Sequence, residues 1–303
     1  MLDNITSRLS FDGIGTSGYL KKAPSYIDNC YEAIHPTTKI PYLKGNLNNL
    51  SISISNTGLN ISGSIPKYKN NNNFETLSMH EYKDIYTEIS DLLHQPIYNS
   101  NVSKVEFGTS LEVVNSPKEY YPFLAYLNGY ERNLMKGSLY FINTLRTLRF
   151  YNKRTELIKN GFVFPLELKN NNYLRYELKY DKNIANQFNK AKVQVHDLYN
   201  QELFNLLVLD WKAQFDNILK HQTTTYEDMT SKTGQILLLE NYIHEKGMDE
   251  TLQYIKTLKS KFSTEREYYR FRASIKEVNK TGVKSESMQE LEDKINIMVD
   301  SLL

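Results

Sequence analysis

The fold class is decided by two segments, Leu145-Arg-Thr-Leu-Arg-Phe-Tyr-Asn-Lys-Arg-Thr-Glu-Leu157 and Tyr173-Leu-Arg-Tyr-Glu-Leu-Lys-Tyr180. Apolar and polar residues alternate with period two in both segments, which predicts two strands that each have one apolar and one polar face. A turn region that contains Gly161 separates the two strands. We therefore expect both strands in one sheet, with the apolar side chains packed on one of its faces.

The opposite face of these strands collects a phenol, a carboxylate and four cations. Its predicted side chains are Arg149, Tyr151, Lys153, Arg175, Glu177 and Lys179. Residues 143–192 contain 11 Lys and Arg against 4 Asp and Glu, whereas the whole chain has a net charge of only +2. A solvated sheet face also carries charges. A local basic excess on a nearly neutral chain is nevertheless typical of a surface that binds a phosphate backbone.

Length and composition set the class of protein. The 303 residues, of which 40% are hydrophobic, predict a globular chain of one large or two ordinary domains. Because Cys30 is the single cysteine, we expect no internal disulfide and a reducing, cytoplasmic environment. The sequence has no uninterrupted run of 18 apolar residues, so we expect neither export nor a membrane partner.

The element order predicts an α+β fold. To Tyr180 the pattern is β-β-α-β-α-β-β-β, with a helix opening at Ser78, a second opening at Ser116, and little regular structure expected after a first strand in residues 1–45. This order indicates a central, mostly antiparallel sheet with helices on one face, which leaves the other face free for a ligand. Helices are predicted at 198–219, 234–245, 249–262, 264–278 and 285–302.

We accordingly predict one domain at 1–190 and an all-helical C-terminal region at 191–303. The alternative is that the helices form a layer on the first domain. Within the first part, the segment from Leu50 to Ile61 is a predicted hairpin whose polar face is lined by serines. A nucleic-acid backbone can approach such small side chains closely, although exposed serines are also often merely solvated.

Tyr151 is a candidate nucleophile. Neighbouring Arg and Lys side chains would favour the phenolate over the neutral phenol, and attack on a phosphate is the matching reaction. Phosphoryl transfer also needs charge neutralisation, which a divalent metal held by carboxylates supplies. Glu106 and Glu177 are the predicted ligands, with Glu112 in reserve. A surface ion pair is the alternative interpretation of each glutamate.

Four segments in order resemble the gene II type replication initiators of filamentous phages. They are Gly63-Ser64-Ile65-Pro66-Lys67-Tyr68 to Asn73, Lys104-Val105-Glu106-Phe107, Leu148-Arg-Phe-Tyr-Asn-Lys-Arg-Thr-Glu-Leu157 and Leu174-Arg-Tyr-Glu-Leu178. They are similar, too, to rolling-circle plasmid initiators that have a Tyr-Asn-Lys strand followed by an Arg-x-Glu strand. The resemblance covers roughly residues 1–190.

The resemblance implies a replication initiator that nicks and rejoins single-stranded origin DNA through a phosphotyrosine intermediate. Tyr151 then matches the nucleophile, Lys153 the motif lysine, Glu106 the acidic residue that is usually Asp, and Glu177 the Arg-x-Glu carboxylate. Mg or Mn would be the metal, and Arg149, Arg154, Arg175 and Lys179 would bind DNA. The implied partners are single-stranded or supercoiled origin DNA with a host helicase and polymerase.

The sequence departs from these families in two places. Glu stands at 106 where Asp is usual, and Asn71-Asn72-Asn73 replaces the Gly-His-Asn of the phage proteins. The His-x-His of better-known nickases is also absent, so a metal here would depend on carboxylates. Three alternatives stay open: a non-catalytic DNA-binding replication regulator, a conjugative relaxase that uses the same chemistry, and, less favoured, an RNA-binding sheet.

Overall fold

A computed structural model describes residues 1–11, 16–221, 230–278 and 285–303 of this protein. Its strands are β1 (Leu2–Ser10), β2 (Asp28–Ile34), β3 (Pro41–Leu47), β4 (Leu50–Ser55), β5 (Gly58–Ser64), β6 (Asn101–Val113), β7 (Leu124–Tyr126), β8 (Glu131–Met135), β9 (Ser138–Ile142), β10 (Arg146–Asn152), β11 (Asn172–Tyr180) and β12 (Leu219–Lys220).

The helices are α1 (Thr16–Lys22), α2 (Ile65–Asn70), α3 (Met79–Leu92), α4 (Lys153–Lys159), α5 (Ile184–Gln187), α6 (Gln201–Asp216), α7 (Ser231–Lys246), α8 (Met248–Thr257), α9 (Glu265–Val278) and α10 (Glu286–Leu302). None of the helices in the described ranges combines the length and the apolar character needed to cross a bilayer.

Ten strands form one antiparallel sheet in the order β2-β3-β4-β5-β1-β6-β11-β10-β9-β8, while β7 and β12 pair separately. The two central strands are β1 and β6. Outward from β1 lie β5, β4, β3 and β2, and outward from β6 lie β11, β10, β9 and β8. The sheet therefore consists of two halves with the same strand order, an N-terminal half (β1–β5) and a C-terminal half (β6 and β8–β11).

One face of the sheet, the packed face, holds the main core. Phe150 stacks on Tyr176 with ring centroids 4.5 Å apart, and Tyr176 stacks in turn on Trp211 of α6 at 4.8 Å. The buried Tyr176 hydroxyl donates to the Trp211 carbonyl at 3.0 Å, so its burial leaves no polar group unsatisfied. Residues of α3, α6 and α10 belong to this same core. The predicted α+β fold with a central antiparallel sheet is confirmed. Two details differ, since α4 lies on the other face and the C-terminal region predicted to be all-helical contains β12.

The core crosses the predicted domain boundary at residue 190. Helices α6 and α10 belong to the core of the sheet. A second, smaller cluster joins α7, α8 and α9 through six buried side chains, Ile243, Met248, Leu252, Ile255, Tyr268 and Ile275. Residues on both sides of position 190 therefore bury apolar surface together.

The other face, the polar face, is only partly free. Over β11 it is covered by an aromatic cluster in which Phe74, Phe164 and Tyr173 pack beside Leu157 of α4. In the N-terminal half the same face is open, and Ser51 and Ser62 are exposed there. The expectation of a free face is thus wrong for this part of the C-terminal half.

Three local predictions are corrected. The strand predicted through Leu157 ends at Asn152, whose side chain accepts a hydrogen bond from the Thr155 amide at 2.9 Å and so caps α4. The helix predicted from Ser116 is replaced by two 3-10 turns and β7, because Pro122 has no N–H and its ring clashes with the preceding helical turn. Residues 28–34 and 41–47 are strands rather than loops.

The remaining helical predictions agree with α3, with its capping box from Ser78 to Glu81, and with α6 to α10 within a few residues. The last helix begins after Ser285, whose side chain accepts a hydrogen bond from the Met288 amide, at the start of the predicted range. The hairpin predicted at 50–61 is present as β4 and β5.

Gly108 of β6 should be intolerant of any side chain. A Cβ at this position would lie 2.3 Å from the Tyr176 carbonyl oxygen and 2.7 Å from the Glu177 Cα. We expect Gly108→Ala to lower the free energy of unfolding by about 2 kcal/mol, since backbone atoms of β11 would have to move. Urea denaturation of the variant beside Gly18→Ala, where a Cβ meets nothing within 4 Å, measures this. Equal stability of the two variants would contradict the packing described.

Candidate functional site

A bulge in β1 turns two consecutive polar side chains toward the polar face. Leu2 and Ile5 are both buried on the packed face, and the three residue steps between them match only two steps along β6. The extra residue leaves Asp3 and Asn4 on the opposite face together. Bulges of this kind commonly re-aim side chains beside functional sites.

Arg175 lies at the centre of the site between two carboxylates. Its Nη2 is 2.8 Å from Asp3 Oδ2, its Nε is 2.7 Å from Glu177 Oε1, and its Nη1 donates to the Asn73 carbonyl at 3.0 Å. Arg175 is 2% exposed. Arg175, which was predicted to bind DNA, is therefore buried, and its guanidinium is bound to protein carboxylates.

The charges of this cluster hold each other ionised. Burial raises the pKa of Asp3, but Arg175 and the hydrogen bonds from Ser64 and Asn73 outweigh burial, so the net pKa lies below its usual value. Burial lowers the pKa of Arg175, and the carboxylates of Glu177 and Asp3 more than reverse this effect. The cluster is a buried ion-pair network in which loss of one member leaves an uncompensated charge.

Tyr151 is buried next to this cluster. It pairs with Arg175 across β10 and β11, and its hydroxyl donates to Glu177 Oε1 at 2.9 Å. The side chain is 5% exposed, and the guanidinium carbon of Arg149 lies 4.0 Å from the centre of its ring. Burial and the charge of Glu177 raise the pKa of Tyr151 well above its usual value, although Arg175 opposes them.

Two expectations about Tyr151 are therefore wrong. Its hydroxyl is not exposed, and its surroundings favour the neutral phenol over the phenolate. The cations lie beside the ring rather than at the oxygen, while the group that contacts the oxygen is a carboxylate. The Tyr151 hydroxyl instead donates to Glu177 Oε1, and the Nε of Arg175 donates to the same oxygen.

Lys153 is fully buried on the same face. It begins α4 rather than continuing the strand, and its Nζ donates to Asn73 Oδ1 and to Glu156 Oε2, both at 2.7 Å. Burial and the nearby charge of Arg175 lower the pKa of Lys153, while Glu156 opposes them. Lys153 therefore joins the network at Asn73, with Nζ 5.8 Å from the centre of the Tyr151 ring.

Glu106 and Glu177, the predicted metal ligands, lie on the same face of neighbouring strands. Burial and the charge of Glu177 raise the pKa of Glu106, which indicates that the two carboxylates repel each other. Glu106 accepts from Asn4 at 2.5 Å and lies 3.3 Å from the Nζ of Lys179. The reserve ligand Glu112 lies further along β6, where it is exposed and accepts a hydrogen bond from Asn171.

The two glutamates fit Mg or Mn in part. Within the described ranges no group of three His, Cys, Asp or Glu side chains is placed to hold a metal ion. Mg²⁺, however, is usually bound by only one or two carboxylates together with substrate phosphates and water. Their mutual repulsion is the condition that a divalent cation would relieve.

Part of the basic excess is neutralised by carboxylates from elsewhere in the chain. Five of the 11 cations between residues 143 and 192 form ion pairs, and most of their carboxylates lie outside that window. The pairs are Arg146–Asp210, Lys153–Glu156, Arg175 with Asp3 and Glu177, Lys179 with Glu106 and Asp181, and Lys190–Glu202.

Of the predicted DNA-binding residues, Arg149 and Arg154 form no ion pair with any described residue. Both are half-buried, and the Nε of each lacks a hydrogen-bond partner among those residues. The Arg149 guanidinium carbon lies 5.5 Å from the centre of the Tyr140 ring and nearer still to Tyr151. Lys179 is half-buried and paired with Glu106, whose charge helps to raise the pKa of Lys179 against the effect of burial.

Sequence reasoning missed four members of the network. They are Asp3, Ser64, Asn73 and Glu156. Asp3 reaches the site through a bulge, for which the sequence carries no clear signal. Asn73 follows α2, whose end is marked by Asn71 in the left-handed conformation at φ 59°. The run of four asparagines was therefore the one available sign that this loop has a special geometry.

No protein-family model matches the chain, and no curated protein matches it in sequence.

The ion pair of Asp3 should make the stability of the fold depend on pH in the acidic range. We expect Asp3→Asn to lower the free energy of unfolding by about 3 kcal/mol at neutral pH, because Arg175 loses one of its two buried carboxylates. The folded-state pKa of Asp3 lies below its usual value of 3.8, so its contribution is complete above that pH and is lost as the pH falls through the lowered pKa.

The difference in melting temperature between parent and Asp3→Asn should consequently shrink as the pH is lowered below about 3.8. The matched control is Asp84→Asn, which removes an exposed carboxylate paired with His80 on α3 and should change stability by about 0.5 kcal/mol or less. A difference between parent and Asp3→Asn that stays constant with pH would contradict the buried pair.

Proposed function

We propose that this protein is a DNA-nicking and DNA-joining enzyme that starts rolling-circle replication of a phage or plasmid, with Tyr151 as the nucleophile. The observation that carries the proposal is the contact between the Tyr151 hydroxyl and Glu177 Oε1, with Arg175 bound to the same oxygen. A nucleophile, a base and a group that orients the base are thereby in hydrogen-bond contact on two adjacent strands.

In the proposed reaction, Tyr151 attacks a DNA phosphate and its proton passes to Glu177. Glu177 accepts the proton of Tyr151 as the phenolic oxygen forms a bond to one backbone phosphorus of the DNA. The bond between that phosphorus and the 3′ oxygen breaks, which leaves the 5′ phosphate on Tyr151 and a 3′ hydroxyl on the released end. Lys153, whose pKa is lowered, is our candidate donor of the proton to the leaving oxygen. Rejoining reverses these steps.

The phosphate charge needs positive partners. Arg149 and Arg154 are the cations near Tyr151 that have no carboxylate partner among the described residues, and we assign them to the DNA backbone. Glu106 and Glu177 would hold Mg or Mn, which when bound neutralises charge on the reacting phosphate. The substrate would be single-stranded or supercoiled origin DNA, and a host helicase and polymerase would act on the product.

Access to Tyr151 requires a local rearrangement. The side chain is 5% exposed and lies under the guanidinium of Arg149. Since Arg149 is held there by contacts with Tyr140 and Tyr151 rather than by an ion pair, an arriving phosphate competes only with cation–π interactions of about 0.5–2 kcal/mol. Movement of Arg149 onto the phosphate would uncover the nucleophile and bind the substrate in one step.

A non-catalytic DNA-binding regulator is the second candidate. The observation that favours it is the raised pKa of the buried Tyr151. An enzyme would have to deprotonate this hydroxyl during the reaction, whereas a binding protein would not. The covalent intermediate separates the two functions.

Tyr151→Phe should abolish that intermediate. The variant keeps the ring beneath Arg149 and loses one hydrogen bond to Glu177, so we expect it to fold with a loss of about 1 kcal/mol in stability. Incubation with supercoiled origin DNA and Mg or Mn, followed by mass spectrometry of the DNA-linked peptide, should find the adduct on Tyr151 of the parent and none on the variant. The control is Tyr173→Phe, a buried tyrosine in the aromatic cluster, which should still form the adduct.

An adduct on another tyrosine would keep the reaction and overturn the assignment of the nucleophile. If neither Mg nor Mn yields an adduct with the parent, the regulator is the better conclusion.

Glu106→Gln should separate metal use from folding. The side chain is half-buried and retains an amide that can contact Asn4, so we expect a loss of stability of about 1 kcal/mol or less. Metal-stimulated nicking should fall by at least about 100-fold, since one of two carboxylates is lost. Glu177→Gln should also lose nicking, but with a larger loss of stability because Arg175 and Tyr151 both depend on that carboxylate. Normal nicking by Glu106→Gln would make Glu106 an ion-pair partner of Lys179 only.

A further inference from the structure

The N-terminal half of the sheet contains an unusually long segment without acidic residues. Residues 33–74 include no Asp and no Glu, but they include Lys39, Lys44, Lys67 and Lys69. This segment forms the whole of β3, β4 and β5. Three neighbouring strands therefore present a surface with no negative side chain.

Two rows of paired residues cross the polar face of this half. Paired residues of neighbouring strands lie on the same face. The first row is Lys44, Ser53, Asn60 and Arg8, on β3, β4, β5 and β1. The second row is Ser51, Ser62, Thr6 and Lys104, on β4, β5, β1 and β6. The middle of each row is small and polar, and a cation stands at its end.

The small side chains hold each other in place. Thr6 Oγ1 is 2.9 Å from Ser62 Oγ, and Asn60 Nδ2 donates to Ser53 Oγ at 3.3 Å. Arg8 donates to Thr57 Oγ1 at 2.8 Å and to Asn60 Oδ1 at 3.4 Å. All of these partners of Arg8 are neutral, so its charge is oriented without being cancelled.

The cations of this surface lack the neutralisation seen in the other half. Arg8, Lys44 and Lys104 form no ion pair with any residue of the described ranges, whereas Arg175, Lys153 and Lys179 all do. Lys44 and Lys104 are exposed. Cations without an ion-pair partner among the described residues therefore occur at this end of the sheet as well as beside Tyr151.

A cavity of about 370 Å³ opens at Arg8. Its walls include Arg8, His35, Tyr42, Ser53, Thr57 and Asn60. The volume lies within the roughly 300–1,000 Å³ of sites that hold one small ligand. These groups suit a nucleotide. A guanidinium can bind a phosphate, an aromatic ring can stack on a base, and hydroxyl and amide groups can form the remaining hydrogen bonds.

We propose that the polar face of the N-terminal half binds a single strand of DNA. Arg8, Lys44 and Lys104 contact phosphates, the serine and threonine side chains let the backbone approach closely, and one base lies in the cavity against Tyr42. The inference rests on the proposed function in one respect, namely that the bound strand is the one cut at Tyr151. Arg8 and Asp3 are five residues apart on β1, or roughly 17 Å, so a strand that crosses this face reaches the catalytic network within a few nucleotides.

The test is the affinity of the full chain for a fluorescein-labelled oligo(dT) of about 16 nucleotides, measured by anisotropy at several salt concentrations. Ser53→Glu places a carboxylate in the first row and should weaken binding about tenfold at low salt. Lys44→Gln removes an exposed cation that forms no ion pair with a described residue, and should reduce the slope of log K against log salt by about 0.7.

Matched controls are Ser301→Glu and Lys256→Gln, which make the same changes at exposed positions of α10 and α8 and should bind within about twofold of the parent. Unchanged binding by both Ser53→Glu and Lys44→Gln, or an equal loss in their controls, would overturn the inference. Circular dichroism melting checks that each variant is folded. If Ser53→Glu is unfolded, Lys44→Gln alone still tests the inference.

Failure of this inference is distinguishable from failure of the proposed function. Binding of oligo(dT) requires no cleavage, so the affinities of the sheet variants and the adduct on Tyr151 are independent measurements. If the adduct forms on Tyr151 and the sheet variants bind normally, the proposed enzyme activity stands and the proposed binding surface is overturned. If the sheet variants lose binding and the parent forms no adduct, the proposed binding surface stands and the proposed nicking activity is overturned.

Discussion

The site depends on the burial of one guanidinium between carboxylates from two strands. Arg175 belongs to β11 and Asp3 to β1, and the pair spans β6, the strand between them. Desolvation of three charges is costly unless every charge finds a partner, so the bulge that delivers Asp3 and the loop that delivers Asn73 are both needed for the sheet to close around Arg175. The interaction thereby joins the N-terminal and C-terminal halves across the centre of the sheet.

Alternation of apolar and polar residues was enough to predict the strands that are buried on one face. Leu148, Phe150 and Tyr176 lie on the packed face as their positions require. Strands β2 and β3 escaped prediction because their side chains are mostly exposed or half-buried, so no apolar period marks them. Periodicity also could not show that Asn152 caps a helix, since the residues after it continue the alternation for one more step.

Charge counting along the sequence was the least reliable guide. It indicated a basic face on residues 143–192, yet Asp3, Glu106, Asp210 and Glu202 approach those cations from distant parts of the chain. A window in the sequence cannot count carboxylates that only the fold brings near. The same limitation hid the pKa of Tyr151, because the sequence placed cations beside it and the fold placed Glu177 on its hydroxyl.

The strand order has a consequence for the way the chain is assembled. The N-terminal half is complete at Ser64, and all of its pairings are made within the first 64 residues. During synthesis, which proceeds from the N-terminus, this half can form before the residues of β10 and β11 have left the ribosome. The carboxylate of Asp3 would then be without its partner until Arg175 is synthesised, more than a hundred residues later. During synthesis the buried ion pair can therefore close only after β11 has emerged, and this closure places Arg175 beside Tyr151.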